Sequence, residues 1–171
     1  MSVLKYGRKD SFSGNCDSLV ILIHGYGADG TDLLGLANSL GQHMPNTVFV
    51  APDAPHKCQM NPSGREWFPI PWIDGSSEVD ARLVMEQAIN TTNIFIDEMI
   101  KAENVDINNT ILLGFSQGTM LSLHLAPRRD TALAGVVGFS GRLLEPESLE
   151  EEVKSKMPIL LVHGDSDDVV P

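Results

Sequence analysis

The sequence predicts an α/β fold: a mainly parallel sheet with helices on both faces. Apolar, β-branched runs of the length of buried strands alternate along the chain with stretches in which apolar residues recur every three or four positions. Between one such run and one such stretch sits Gly114-Phe115-Ser116-Gln117-Gly118, a G-x-S-x-G sequence of the kind that forms a nucleophile elbow between a strand and a helix.

Residues 3–12 are short and mixed, and read as an edge strand or hairpin arm. Residues 19–23 (LVILI) form a continuous apolar run, expected as a strand buried on both faces. A glycine-rich loop, residues 24–30, leads from it into a helical pattern over about residues 31–42, with Leu33, Leu34, Leu36, Ala37 and Leu40 apolar. Residues 47–51 are the next strand. The stretch 56–77 holds Pro62, Gly64, Pro69, Pro71 and Gly75 together with Trp67 and Trp72, and is expected as a partly ordered wall offering apolar surface. From Ser77 or Asp80 to about Glu103 runs the longest helical pattern, with Ala81, Val84, Met85, Ala88, Ile89, Ile96, Met99 and Ile100 on one stripe. A polar connector, 104–109, precedes the strand that enters the elbow, and residues 119–125 are expected as an amphipathic helix. Residues 133–141 read as a strand ending in a turn, 143–157 as acidic and weakly helical, and 158–162 as a last buried strand.

Composition bounds the function. With 171 residues, 42% of them hydrophobic, the chain can bury the core of one domain, residues 1–171. Twelve basic against 23 acidic residues, a net charge of −11, argue against nucleic acid or an anionic membrane as a partner. No apolar run approaches the length of a membrane span, and the first ten residues carry no apolar leader, so the expectation is a soluble, cytoplasmic protein. Cys16 and Cys58 form no C-x-x-C pair and are expected as free thiols.

Glycines flank Ser116 because the turn brings backbones too close for a Cβ, and the turn lifts the hydroxyl to the N-terminus of a helix. An ordinary strand-to-helix turn with a capping serine is the competing reading. The loop 24–30 contains neither G-x-x-x-x-G-K-[ST] nor G-x-G-x-x-G, so a phosphate loop is excluded. Its amides instead suit developing negative charge, with Tyr26 and the residue after the serine, Gln117, as backbone donors of an oxyanion hole. His24 is expected to hold the loop through its ring, and His124, eight positions past Ser116, to be structural.

Four landmarks in order closely resemble the phospholipase/carboxylesterase family of α/β-hydrolases, which includes bacterial carboxylesterases and acyl-protein thioesterases: residues 24–30 (HGYGADG), 64–68 (GREWF), 114–118 (GFSQG) and 163–171 (HGDSDDVVP). The resemblance spans essentially the whole chain. It implies an α/β-hydrolase fold, Ser116 as nucleophile, Tyr26 and Gln117 as backbone donors, and Asp167 as catalytic acid, with Asp165 and Asp168 as competitors. It also implies a carboxylic ester or thioester, lysophospholipids included, as small-molecule substrate, hydrolysed through an acyl-enzyme with no metal or organic cofactor. Trp67 and Phe68 are expected against the acyl group. The family order places a histidine after the acid, and only Asp168, Val169, Val170 and Pro171 follow Asp167. The expectation is therefore a C-terminally incomplete hydrolase domain, without the last strand and helix and strongly impaired alone, whose edge strand invites association into a homo-oligomer. A non-catalytic acyl-binding module is the alternative.

Overall fold

A computed structural model describes residues 3–170. Its centre is a six-stranded sheet of order β1-β3-β2-β6-β7-β8, formed by β1 (Tyr6–Lys9), β2 (Ser18–Ile23), β3 (Thr47–Pro52), β6 (Thr110–Phe115), β7 (Gly135–Phe139) and β8 (Ile159–Val162). Only β1 runs antiparallel, against β3, and all other neighbours are parallel. Parallel neighbours need a crossover segment, and the helical patterns of the sequence supply it.

Alternate side chains of β2 feed two apolar layers. Leu19, Ile21 and Ile23 pack with Val48, Val50 and Leu112 beneath α4 (Glu78–Glu103) and α5 (Gln117–Leu125). Val20 and Leu22 pack with Phe49, Ala51 and Leu113 on the opposite face, against α1 (Gly30–Leu34) and α2 (Ala37–His43). A strand apolar at every position is what this two-sided burial requires.

The expected helix over 31–42 is split into α1 and α2. Gly35 and Leu36 keep right-handed helical angles, but Leu36 N–H bonds to Leu33 O and Ser39 N–H to Leu36 O, so the chain tightens to i→i+3 bonding there. Helix α4 matches its pattern: Ser77 accepts from Asp80 N–H at its start, Asn104 closes it in a left-handed conformation, and Ala81, Met85, Ala88, Thr92, Phe95, Ile96 and Met99 form the buried stripe. Helix α5 is not amphipathic. Every residue of it is buried, because it lies between the sheet and α4, and Ser122 satisfies its hydroxyl on Gly118 O at 2.7 Å.

The wall over 56–77 contains a small hairpin of β4 (His56–Lys57) and β5 (Arg65–Glu66), followed by the short helix α3 (Pro71–Asp74), which ends at Gly75 in a left-handed conformation. Among the acidic residues 143–157, only α6 (Pro146–Glu152) is helical. The expectation of a buried last strand fails for β8. It pairs with β7 along one edge, but Ile159 to Val162 are 44–57% exposed.

The tightest contact in the sheet layer lies where α5 crosses β2. A Cβ on Gly118 would overlap the carbonyl oxygen of Ile23, and one on Gly114 would come within 2.5 Å of the Gly118 and Thr119 backbone. Gly118→Ala is expected to cost more than about 3 kcal/mol, because backbone has to move apart in a packed layer. Gly164→Ala, with nothing within 4 Å of the added methyl, should stay within about 0.5 kcal/mol of the parent. Urea unfolding of the two variants side by side checks the contrast.

Candidate active site

Strand β6 ends in Ser116, whose backbone sits at φ 50°, ψ −113°, a region that non-glycine residues rarely occupy. The conformation is held from both sides: Ser116 N–H donates to Phe139 O at 2.8 Å, and Ser116 O accepts from Met120 N–H at 3.1 Å. Strain of this sort costs about 1–3 kcal/mol and survives only where the surroundings over-determine it. Two glycines bring other segments against the serine. A Cβ on Gly25 would lie 3.3 Å from Ser116 Cβ, and one on Gly141 would lie 2.7 Å from Ser116 O. Gly138, on the strand beside, leaves room for the Thr119 side chain.

The loop after β2 is fixed by its polar groups. The His24 ring is fully buried, with Nδ1 2.8 Å from Gly25 O and Nε2 accepting from Ala54 N–H at 3.0 Å. One nitrogen must donate and the other accept, so the network selects the neutral Nδ1–H tautomer. Gly27 N–H donates to Arg65 O, Arg65 N–H to Ala28 O, and Asn61 Nδ2 to Gly27 O, each at 2.8 Å, which stitches the loop to the β4–β5 hairpin. The Tyr26 hydroxyl donates to Asp74 Oδ2 at 3.0 Å, and burial with these acidic neighbours pushes the phenol above its ordinary range. His24 thus holds the loop, as expected.

Two amides in this arrangement stay open. Tyr26 N–H finds no acceptor among the described residues, and Gln117 N–H, at the first position of α5, precedes the intrahelical ladder. Both flank the Gly25–Ser116 contact. Their geometry, with the positive end of α5, suits an oxygen that gains negative charge.

The Gln117 side chain does something its backbone position does not reveal. It is fully buried, its Oε1 accepts from Trp67 N–H at 2.9 Å, and its Nε2 donates to Phe68 O at 2.6 Å. The elbow residue therefore fixes the start of the wall, and a buried amide bonded in this way is costly to leave unpaired. Trp67 does not offer its ring to a substrate. Its indole is fully buried, Nε1–H donates to His24 O at 3.0 Å, and it packs beside the His24 ring at 5.3 Å between centroids. Phe68 does border the cavity of about 220 Å³ that lies along the wall, together with Ile70, Trp72, Met85, Arg142 and Leu144. Trp72, in helix α3, is half exposed.

Asp167 lies in the turn after β8, two strands from the elbow in the sheet order, which at the ordinary strand spacing is about 10 Å. Oδ1 accepts from Val169 N–H at 3.0 Å and Val170 N–H at 2.9 Å, and these bonds hold the carboxyl below the usual aspartate range. Asp165 and Asp168 are exposed and make no comparable bonds to backbone. His163 is exposed, with Nε2 2.8 Å from Val170 O and 3.4 Å from Asp167 Oδ2. No imidazole among the described residues hydrogen-bonds to the Ser116 hydroxyl.

His24 and His124 are the buried imidazoles, and desolvation lowers both below the ordinary histidine value, His124 with the further push of Arg128. A histidine kept neutral by the fold takes up its proton more readily once unfolded. Stability is therefore full above about pH 6.5 and falls as the pH drops from there towards the folded-state values. The loss should approach about 1.4 kcal/mol per pH unit for each ring. Urea midpoints between pH 8 and 5 check this, and midpoints that hold flat to pH 5 would contradict it.

Comparison with known proteins agrees with the fold and the motif order. The family profile "Phospholipase/Carboxylesterase" matches residues 11–171. The chain is 33% identical over 166 residues to acyl-protein thioesterase 1 of Saccharomyces cerevisiae, covering 89% of this chain and 71% of that protein. It is 29% identical over 155 residues to the esterase YpfH of Escherichia coli, covering 89% of this chain and 62% of that protein, which is less than two thirds. Among solved structures, the crystal structure of esterase PE8 superposes with a TM-score of 0.92 at 41% identity, covering 98% of this chain and 78% of that one. With a match running from residue 11 onward, over a parallel sheet that carries the strained serine after its central strand, the chain belongs to the phospholipase/carboxylesterase family of α/β-hydrolases.

Proposed function

We propose that the protein is a serine carboxylic-ester hydrolase that acts on small-molecule esters or thioesters through an acyl-enzyme. The observation that carries this reading is the strained Ser116 backbone at φ 50° beside two open amides. A module that only bound acyl groups would have no use for such strain, whereas a nucleophile that must stand clear of the sheet does. Ser116 Oγ attacks the carbonyl carbon, the carbonyl oxygen takes the charge between Tyr26 N–H and Gln117 N–H, and the alcohol or thiol departs with a proton. Water then attacks the acyl-enzyme and releases the acid. Asp167, already ionised by its own backbone bonds, is positioned to orient a general base and to offset the charge the base acquires. Relatives named as esterases and as an acyl-protein thioesterase support the reaction class.

The test is covalent labelling. A fluorophosphonate should modify Ser116 and no other serine, as read by mass spectrometry, and Ser116→Ala should take up no label. An unlabelled Ser116 would favour the acyl-binding reading.

No helix of the described residues is long and apolar enough to cross a membrane. Cys16 and Cys58 are free thiols, the state that a reducing compartment maintains, and on that chemistry we place the protein in the cytoplasm. We also propose that copies associate through β8, whose outer edge and both faces are open. Multi-angle light scattering should show a dimer or larger species, and Leu160→Lys should shift it towards monomer; a parent that is monomeric at high concentration overturns the proposal.

A further inference from the structure

The cavity along the wall carries a charge pattern that an acyl pocket for plain hydrocarbon would not need. Arg8, Arg65, Arg82, Arg128 and Arg129 each pair with a carboxylate. Arg142 is the arginine left without one among the described residues, in a chain of net charge −11 where carboxylates are plentiful. Its guanidinium instead lies over the Trp72 ring, 4.6 Å from the centroid. Stacking engages the face of a guanidinium and leaves its in-plane N–H groups free, and those form the fork that matches a carboxylate.

Both walls of this cavity are tied to the elbow. Phe68 is bonded to the Gln117 side chain at 2.6 Å, and Gly141, the residue before Arg142, is the one that packs on Ser116 O. The interior between them is largely apolar, through Phe68, Ile70, Met85 and Leu144. Glu145, at the border, is neutralised by Arg82 at 3.1 Å. Glu78 is the remaining carboxylate there, and it sits in the first turn of α4, where the helix dipole offsets its charge.

We infer that Arg142, held over the Trp72 ring, is a specificity-determining residue that selects esters whose far end carries a carboxylate, with an apolar spacer lying along the cavity. The inference rests on the hydrolase reading for the assignment of this cavity to the substrate. Arg142 is exposed, and a charge-assisted pair at such a position ordinarily strengthens binding by about two- to fivefold.

The probes are monomethyl suberate and its neutral counterpart dimethyl suberate, titrated calorimetrically into the Ser116→Ala protein so that neither is consumed. The monoanion should bind about threefold more tightly, the ratio should shrink with added salt, and Glu78→Gln should enlarge it. Arg142→Met should bring the ratio close to one, while Arg142→Lys, which keeps charge but not the fork, should fall between; thermal melts verify that each variant is folded. Equal affinities for the two probes, no binding of the monoanion, or a ratio that survives in Arg142→Met would overturn the inference. Labelling of Ser116 by fluorophosphonate in the parent with a ratio near one sinks this inference alone, and an unlabelled Ser116 with the ratio intact sinks the hydrolase reading alone.

Discussion

The structure depends on one backbone contact, the approach of Gly118 in α5 to the carbonyl of Ile23 at the end of β2. With any side chain at position 118 the helix would stand off from the sheet. Ser116 would then lose its bond to Phe139 O, and Gly25 would no longer meet the serine at Cβ distance. The same contact sets the two apolar layers, because α5 is buried on every side and fixes the depth at which α4 can pack over β2. The interior tolerates little change in volume, so this geometry is not adjustable piecemeal.

Around that contact the polar groups of the loops are almost all spent on one another. His24 ties Gly25 to Ala54, Trp67 ties to both His24 O and Gln117, and Tyr26 ties to Asp74. Burial alone would raise Asp74, but hydrogen bonds from Ser76, Ile70 and Tyr26 keep it ionised below its ordinary value, which makes it a firm acceptor for the tyrosine. What remains unspent is the pair of amides at Tyr26 and Gln117. A site organised in this way does not have to reorient its dipoles when charge develops, and that is the condition under which such donors contribute most.

Strand positions, the long helix and the elbow were legible in the sequence because each has a period or a glycine that physics requires. The stripe of α4 could be read from spacing alone, and the sharp turn from Gly114 and Gly118. Other features depend on tertiary contacts that no local pattern encodes. The helix expected to be amphipathic over 119–125 carries Ser122 and His124, yet both are buried, as is Gln117 before them, and Gln117 and Ser122 are satisfied inside the fold. Trp67 and Trp72 have the same aromatic signature, but one is a beam in the core and the other a surface ring, a difference fixed by the Nε1–H bond to His24 O and by α3. Gly25 and Gly141 were visible as glycines, and only the fold shows that both face the serine. Arg142 carried no sequence signal, since its distinction is the carboxylate it lacks.

Asp167 is held differently from the serine. Ser116 is locked by strands on both sides, whereas β8 is paired on one edge and uncovered on both faces. Asp167 nonetheless keeps a defined place, because its carboxylate caps Val169 N–H and Val170 N–H while the Val170 side chain is buried in the main apolar layer. The turn is thus anchored by its far end, in the core, and not by the strand that leads to it. Local closure of this kind lets a loop hold its geometry while the strand beside it remains open to a partner. It also explains why, of the neighbouring carboxylates at 165, 167 and 168, the middle one is ordered by the backbone: Asp167 alone stands where both following amides converge.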